Sequence, residues 1–269
     1  MRVRHALLLM LLPMLGWWTT GLLDLDEGFY GAVGAELNRR GEWITPYYNG
    51  RPWFEKPILV YWILKPFLSA FGEFGARLPS VLCFLLTGAV MTWWASRRLR
   101  PGAALLVPLV WGGMLLPVAL GRLLMTDMPL VFCLTIAFLA YWESRERPWW
   151  LLVTGAALGA GVLAKGPVAL LLFAPVLLTM WIRDRDRSDP VFSVSGLLLA
   201  ILAGGIVTIA GFVIGMLGGS AVAAVSTMVF IAALLMGSLA MLLYRRQTAG
   251  LGAWSVAWSA FAIVVAAWY

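Results

Sequence analysis

The sequence predicts an all-α polytopic membrane protein of about nine transmembrane helices, on the basis of its composition, the length of its apolar stretches and the placement of its charges. Hydrophobic residues make up 62% of the 269 residues, charged residues make up 12%, and the mean hydropathy is +0.88. Soluble domains are about half apolar and about a quarter charged. A helix needs roughly 20 apolar residues to cross a bilayer, and the stretches here have that length. A water-soluble fold is therefore excluded.

The apolar stretches give the positions of the predicted helices. They cover residues 6–23, 78–96, 102–121, 128–142, 149–165, 167–182, 191–216, 220–244 and 252–269. The first has the basic flank and apolar run of a signal peptide, but Trp17 and Trp18 stand where small residues would form a cleavage site. We interpret it as an uncleaved anchor.

The basic residues of the chain, whose net charge is +7, predict its orientation. With a cytoplasmic N-terminus, nearly all arginines between the predicted spans fall on the cytoplasmic side, as the positive-inside rule requires. Residues 57–72 are apolar but contain Lys65 and Pro66, and if they crossed the membrane, every later arginine cluster would lie outside. We therefore expect them to lie in the membrane interface, and we expect no nucleic acid partner.

This orientation assigns residues 24–77 to one long outer loop. The loop holds two of the three lysines and seven of the 13 acids, namely Asp24, Asp26, Glu27, Glu36, Glu42, Glu55 and Glu73. Residues 27–41 are predicted to form an amphipathic surface helix. Its apolar face is Phe29, Tyr30, Val33 and Leu37, and its polar face is Glu36, Arg39 and Arg40. Long polar loops usually carry function, so we expect the chemistry here.

Two acids, Asp26 and Glu27, follow directly on the first predicted span. Asp24 and Glu27 have the spacing of a helix capping box, which is the alternative to a catalytic role for Glu27. Asp26 is not needed for such a cap. We therefore expect Asp26 to be functional.

Glu55 and Lys56 form a second charged pair, held between Pro52 and Pro57. The lysine is suited to neutralising a phosphate, and the glutamate to holding a divalent metal or orienting the lysine. An ordinary surface ion pair is the alternative. The single histidine, His5, lies beside the predicted cytoplasmic N-terminus, so any metal would need carboxylate ligands.

Three further ionisable residues, Arg122, Asp127 and Lys165, lie at the predicted outer ends of spans. Such groups are costly there unless they serve a site or reach the headgroups, and both explanations remain open. The sequence has no GxxxxGK[ST] loop and no dinucleotide fingerprint, so no nucleotide cofactor is expected.

One stretch of the chain resembles the first outer loop of the membrane-embedded C-type glycosyltransferases. Its sequence is LLDLDEGFYGAVGAELNRRGEWITPYYNGRPWFEKPILVYW. Specifically, it is similar to the bacterial group of lipid A aminoarabinose transferases and protein O-mannosyltransferases. The acidic pair, the Gly-x-Trp-x-x-Pro stretch and the Phe-Glu-Lys-Pro motif come in the family's order. The resemblance continues through FGARLPSVL, MTDMPLVF and LAKGPVALLL, to about residue 185.

The resemblance implies transfer of a sugar from a polyprenyl-phosphate donor to a lipid, glycan or protein acceptor at the outer face of the bacterial inner membrane. By resemblance, Asp26 and Glu27 are the catalytic acids, with Asp26 the base. Glu55 is the candidate metal ligand, and Asp127 is a further site residue. Binding of the donor and its lipid phosphate is assigned to Lys56, Lys165, Tyr30 and Arg122.

Two departures from the family qualify these expectations. Phe29 stands where the family has an arginine, so either other cations meet the carrier phosphate or this subgroup differs from the family. Family members are usually much longer and have a later outer loop, so we expect a catalytic module over residues 1–190, further spans over 191–269, and no counterpart of the family's C-terminal half. A transporter or flippase, and a truncated non-catalytic homologue, are the alternatives to an active transferase.

Overall fold

The computed structural model describes residues 3–23, 26–185, 259–261 and 263–264. The α-helices are α1 (Val3–Leu9), α2 (Asp26–Arg39), α3 (Leu59–Phe71), α4 (Leu78–Arg98), α5 (Pro101–Gly113), α6 (Leu115–Gly121), α7 (Asp127–Glu143), α8 (Trp150–Lys165) and α9 (Val168–Arg185). Two 3₁₀ turns cover Leu12–Met14 and Gly72–Gly75, and β1 (Tyr47–Tyr48) pairs antiparallel with β2 (Arg51–Pro52). The predicted spans 191–216 and 220–244, most of 252–269 and the predicted boundary at residue 190 lie outside the described residues.

The first predicted span is not one helix. Helix α1 ends at Leu9, a 3₁₀ turn follows, and the chain from residue 15 to residue 23 is irregular. Pro13 has no N–H to continue the helix, and Gly16 has a φ of 75°, outside the helical region. Arg122 satisfies two of the freed carbonyls, because its Nη1 donates to Pro13 O at 2.7 Å and to Leu15 O at 2.8 Å.

The predicted span 102–121 is divided in the structure into α5 and α6, which meet at a bend of 64°. Met114 between them has an extended ψ of 124°. Pro117 lacks the N–H that would bond to Gly113 O, which explains the break. Within the described part of the chain, α4 alone is long and apolar enough to cross a membrane, and α5 with α6 qualify only as a bent pair. The count of nine spans stays a prediction.

The described residues divide into two units, one of residues 3–23, 26–139 and 163–165, and one of residues 140–162, 166–185, 259–261 and 263–264. In the first unit α4 packs along α5, and α1 and α6 pack on α5 and α4 respectively. Its core joins Met14, Val81, Cys83, Phe84 and Met128. In the second unit Tyr141 and Phe173 meet edge to face, with ring centroids 5.7 Å apart.

Helix α2 of the outer loop forms as predicted, but the face that it buries is different. Glu36, expected on the polar face, is only 7% exposed, whereas Phe29 of the predicted apolar face is 38% exposed. Glu36 Oε1 accepts hydrogen bonds from Arg40 Nη2 at 2.9 Å and from the Gly50 amide at 3.1 Å. Gly50 lies in the hairpin turn, where its φ is 76°. The buried carboxylate therefore holds the hairpin against α2, which sequence periodicity does not reveal.

Residues 57–72, expected in the interface, contain helix α3, which packs on α2. Lys65 is only 6% exposed, and its Nζ donates to Glu42 O at 2.6 Å. The same Nζ lies 4.1 Å from the centroid of the Trp43 ring. This lysine is therefore a structural cation that joins α3 to the segment after α2.

Close packing at Gly75 gives a testable prediction about this loop. A Cβ added at Gly75 would collide with the backbone carbonyl oxygen of Phe67, which cannot turn away as a side chain would. We expect Gly75→Ala to lower the free energy of unfolding by about 1–3 kcal/mol. Gly102→Ala is the matched control, because a Cβ there meets nothing within 4 Å. Thermal unfolding of both variants checks the prediction, and equal midpoints would contradict it.

Candidate active site

The buried phenol of Tyr30 is influenced by acids from three parts of the chain. Its side chain is 5% exposed, and its phenol is hydrogen-bonded to Thr126. Burial, and after it the charge of Asp26, raises the pKa of Tyr30 to about 12. The charges of Asp127 and Glu55 act in the same direction. Three acids that are far apart in sequence are therefore close enough for their charges to act on one neutral phenol.

Asp26 is the first residue of α2 and is exposed. Within residues 3–23 and 26–185, no hydrogen bond or ion pair engages its carboxylate. A helix N-terminus favours a negative charge, because its first amides are unsatisfied. The Asp26 carboxylate is therefore exposed at a helix N-terminus and free of bonds to the described residues.

Glu27 is in the opposite situation, because its carboxylate is 3% exposed and fully bonded. Oε1 accepts from Arg77 Nε at 2.8 Å and from the Leu124 amide at 2.7 Å. Oε2 accepts from Arg77 Nη2 at 2.8 Å and from the Leu23 amide at 2.9 Å. A carboxylate has about four lone-pair sites, and all four are filled here. The geometry therefore gives no support to the catalytic role predicted for Glu27, since no lone-pair site remains for an acceptor, and that role stays a prediction.

The pKa of Glu27 reflects two opposing effects. Burial, the larger single effect, disfavours the charged form, but the hydrogen bonds from Arg77, Leu124 and Leu23 together lower the pKa below its ordinary value. In return, the hydrogen bonds with Glu27 raise the pKa of Arg77. The pair is therefore ionised in the folded protein.

The sequence does not single out Arg77, yet its side chain holds the segment before α2 in place. Besides Glu27, its guanidinium donates to Trp17 O at 2.8 Å, to Thr20 O at 3.0 Å and to Gly21 O at 2.8 Å. Arg77 directly precedes α4, where a cation is disfavoured by the helix dipole. That unfavourable position is the sequence signal that marks Arg77 as having a specific partner.

Asp127 and Lys165 form an ion pair, with Nζ and Oδ1 2.7 Å apart. Asp127 begins α7 and Lys165 ends α8, so each charge stands at the helix terminus that favours it. Both side chains are partly exposed, at 27% and 35% respectively. The pair places a cation beside one of the acids whose charges act on Tyr30.

Glu55 and Lys56 form a looser pair, with Nζ and Oε1 3.4 Å apart and side chains 56% and 33% exposed. No group of three His, Cys, Asp or Glu side chains suited to a metal ion occurs in the part of the chain that the structure describes. Glu55 lies beside a cation instead of beside further acidic ligands, so this donor set does not fit the metal that the resemblance implies. No metal ion takes part in the mechanism proposed for this chain.

Arg122, predicted to contact the donor, has its Nη1 bonded to the carbonyls of Pro13 and Leu15. The structure thus assigns it to bracing the N-terminal segment and does not place it with the acids around Tyr30. The prediction of donor binding by Arg122 gains no support from this geometry.

An aromatic cluster occupies the place of the family arginine. The ring of Phe29 lies 4.9 Å from Tyr48 and 5.8 Å from Trp53, and the Tyr48 and Trp53 rings are 5.2 Å apart. Phe29 is three residues after Asp26, so the two share a face of α2. The surface beside Asp26 is therefore aromatic.

Comparison with known proteins shows the family to which the chain belongs. The chain matches the family model described as dolichyl-phosphate-mannose-protein mannosyltransferase over residues 55–208. Two relatives are named undecaprenyl phosphate-alpha-4-amino-4-deoxy-L-arabinose arabinosyl transferase: the protein from Edwardsiella ictaluri is 29% identical and that from Sodalis glossinidius is 31% identical, each over 62% of this chain and 32% of its own length. The chain therefore spans about a third of the length of these relatives.

The fold also matches a solved structure. The crystal structure of ArnT from Cupriavidus metallidurans bound to undecaprenyl phosphate matches 98% of this chain and 58% of its own chain, with a TM-score of 0.58 and 19% identity. At that identity the likeness shows the fold alone, and it confirms the predicted mostly helical fold of a membrane C-type glycosyltransferase. Because the family model matches more than half of its residues, the chain belongs to the dolichyl-phosphate-mannose-protein mannosyltransferase family.

Proposed function

We propose that this chain acts as a glycosyltransferase that moves a sugar from a polyprenyl-phosphate donor to a hydroxyl or phosphate of a lipid, glycan or protein acceptor. The reaction takes place at the outer face of the bacterial inner membrane. The relatives' names, which specify an undecaprenyl-phosphate-linked aminoarabinose donor, support this class of substrate.

The contrast between the neighbouring acids Asp26 and Glu27 carries the proposal. Both are at the start of α2, but only the Asp26 carboxylate is free of hydrogen bonds and ion pairs among the described residues, while Glu27 is saturated. Asp26 takes the proton of the acceptor hydroxyl as that oxygen attacks the anomeric carbon of the sugar. The bond between the sugar and the carrier phosphate breaks, and its electron pair leaves with the polyprenyl phosphate.

The departing phosphate requires cations, and Lys56 and Lys165 supply them. Lys56 is paired with Glu55 at 3.4 Å, and Lys165 is paired with Asp127 at 2.7 Å. One such contact holds each lysine in place without using all of its N–H donors. Each lysine retains N–H donors for phosphate oxygens, since an ammonium group has three. Tyr30, whose pKa is raised to about 12, stays a neutral hydrogen-bond donor at physiological pH.

The direct test is sugar transfer by the full chain in proteoliposomes that contain a radiolabelled undecaprenyl-phosphate-aminoarabinose donor and lipid A. Covalent transfer of label to the acceptor supports the proposal. Movement of the donor between leaflets without transfer identifies the chain as a flippase, and neither result with a folded chain identifies a non-catalytic homologue. Either of the last two outcomes rejects the proposed function.

The role of Lys56 gives a second prediction. Lys56→Gln removes a charge-assisted contact with the carrier phosphate, which is worth about 1.5–3 kcal/mol, so we expect the KM for the donor to rise about 10- to 100-fold. Arg51→Gln is the control, because Arg51 is an exposed cation of β2 in the same loop. Donor titrations of both variants provide the measurement. A similar rise in both would show a general charge effect and remove Lys56 from the donor site.

A further inference from the structure

We propose that the Glu27–Arg77 ion pair is a positioning device that sets the distance between Asp26 and the Thr126–Asp127 side of the active site. This inference rests on the proposed function and adds two positioning residues to it. Neither carboxylate nor guanidinium touches the substrate in this scheme. Both act through the backbone segments that carry the reacting groups.

The pair connects three segments that are distant in sequence. Glu27 Oε2 bonds to the Leu23 amide before α2, and Glu27 Oε1 bonds to the Leu124 amide before α7. Arg77, 50 residues after Glu27, bridges to both carboxylate oxygens from the start of α4. A single side chain thus fixes the separation between the beginnings of α2 and α7.

The fixed segments are those that carry the candidate site residues. Asp26 is covalently adjacent to Glu27, and Leu124 precedes Thr126 by two residues and Asp127 by three. Thr126 is hydrogen-bonded to Tyr30, so a second contact joins α2 to the segment before α7. A shift of Glu27 would therefore move the proposed base relative to Asp127, and with it the partner Lys165.

An apolar contact could not replace this ion pair. Arg77 also donates to the carbonyls of Trp17, Thr20 and Gly21, in a segment without helical hydrogen bonds. Only the guanidinium fork has enough donors in one plane to bind the carboxylate and these carbonyls together. Buried ion pairs contribute to specific geometry more than to net stability, which fits a positioning role.

The experiment compares Glu27→Gln, Arg77→Lys and the matched control Glu36→Gln in the full chain. A glutamine at position 27 directs its NH₂ group at two N–H donors, one from Arg77 and one from the amide of Leu23 or Leu124, so two bonds are lost. Glu36 is also a buried glutamate of α2, but its partners are Arg40 and the Gly50 amide of the hairpin. The control is therefore the same substitution at a buried glutamate of the same helix. It differs because Glu36 connects α2 to the hairpin and not to the segment before α7.

We expect kcat per folded molecule to fall about 10²-fold in Glu27→Gln and Arg77→Lys, because a misplacement of about 1 Å costs about that much. The KM for the donor should change much less than kcat, since Lys56 is unaffected and of the two donor lysines only Lys165 moves with Asp127. Glu36→Gln should keep the wild-type kcat. A purely structural role would lower the unfolding temperature of all three variants and leave kcat per folded molecule unchanged, which would overturn the proposal.

Hydrogen–deuterium exchange tests the same inference without turnover. In Glu27→Gln, the peptide that contains Leu23 or the one that contains Leu124 should exchange faster, while in Glu36→Gln only the hairpin peptide should. If neither Leu23 nor Leu124 responds, the positioning proposal fails whatever the activity. If exchange responds as expected but the wild type transfers no sugar, the proposed function fails and the mechanical link between the segments stands.

Discussion

Asp26→Asn should reduce sugar transfer by about 10²- to 10⁴-fold, the usual contribution of a general base. Asparagine keeps the size of the side chain but cannot accept the acceptor's proton. Because no described residue bonds to the Asp26 carboxylate, the substitution breaks no hydrogen bond or ion pair within that part of the chain. The measurement is the initial rate of label transfer under saturating donor and acceptor, and folding should be unchanged.

The control for Asp26 is Glu73→Gln, which removes another exposed acid of the same outer loop, in the 3₁₀ turn Gly72–Gly75. Its transfer rate should match that of the wild type. Donor binding should also be the same in Asp26→Asn and the wild type, because the base acts on the acceptor. Equal transfer rates in Asp26→Asn and the wild type would reject Asp26 as the base.

Arg77→Met should be the most destabilising of the substitutions considered, at about 3–5 kcal/mol of unfolding free energy. Methionine fills part of the volume but leaves the Glu27 charge buried without a partner. It also leaves the carbonyls of Trp17 and Gly21 without a donor. The double variant Glu27→Met/Arg77→Met should therefore remain unstable, because these carbonyls and the amide of Leu124 stay unsatisfied.

Glu55→Gln is the matched comparison for Arg77→Met. It breaks the exposed Glu55–Lys56 pair, and exposed pairs contribute only about 0–1 kcal/mol. Thermal unfolding of the detergent-solubilised proteins gives both values. A shift for Arg77→Met as small as that for Glu55→Gln would show that the Glu27–Arg77 pair does not hold these segments together.

The same ion pair predicts how stability depends on pH. The pKa of Glu27 is lowered from 4.5 in the fold, so its stabilising contribution is complete above 4.5 and is lost as the pH falls through the lower folded value. Wild-type protein should therefore lose stability in this acidic range. Glu27→Gln should lose less over the same range, since it has no carboxylate at that position to protonate.

Periodicity and motif spacing predicted the parts of the fold that depend on local sequence. Helix α2, the helices after residue 78 and the importance of the outer loop follow from apolar spacing and from the position of the acids. The resemblance also gave Asp26, Lys56 and Lys165 as candidates by their motifs, and their roles stay predictions. The structure adds that the charges of Asp26, Glu55 and Asp127 act on Tyr30, and that Lys165 pairs with Asp127.

What could not be predicted depends on contacts between distant segments. Glu27 and Asp26 have similar chemistry, and only the position of Arg77, 50 residues away, distinguishes their roles. The burial of Glu36 likewise depends on the hairpin that folds back onto it. The division at Met114 was missed because hydropathy does not record that Pro117 leaves Gly113 O without a helical donor. In each case the deciding interaction involves a backbone N–H or C=O group. Its partner is either supplied by a distant segment of the fold or removed by a proline.

The acids at the start of α2 are adjacent, so the surroundings of each depend on how the helix is rotated about its axis. Consecutive residues of an α-helix point about 100° apart, so a helix that buries Glu27 must direct Asp26 elsewhere. Insertion or deletion of one residue within α2, between Glu27 and the part of the helix that packs on α3, would therefore turn both acids by about 100° relative to that packed face. The spacing from these acids to the packed residues of α2 is constrained by the chemistry that each acid performs.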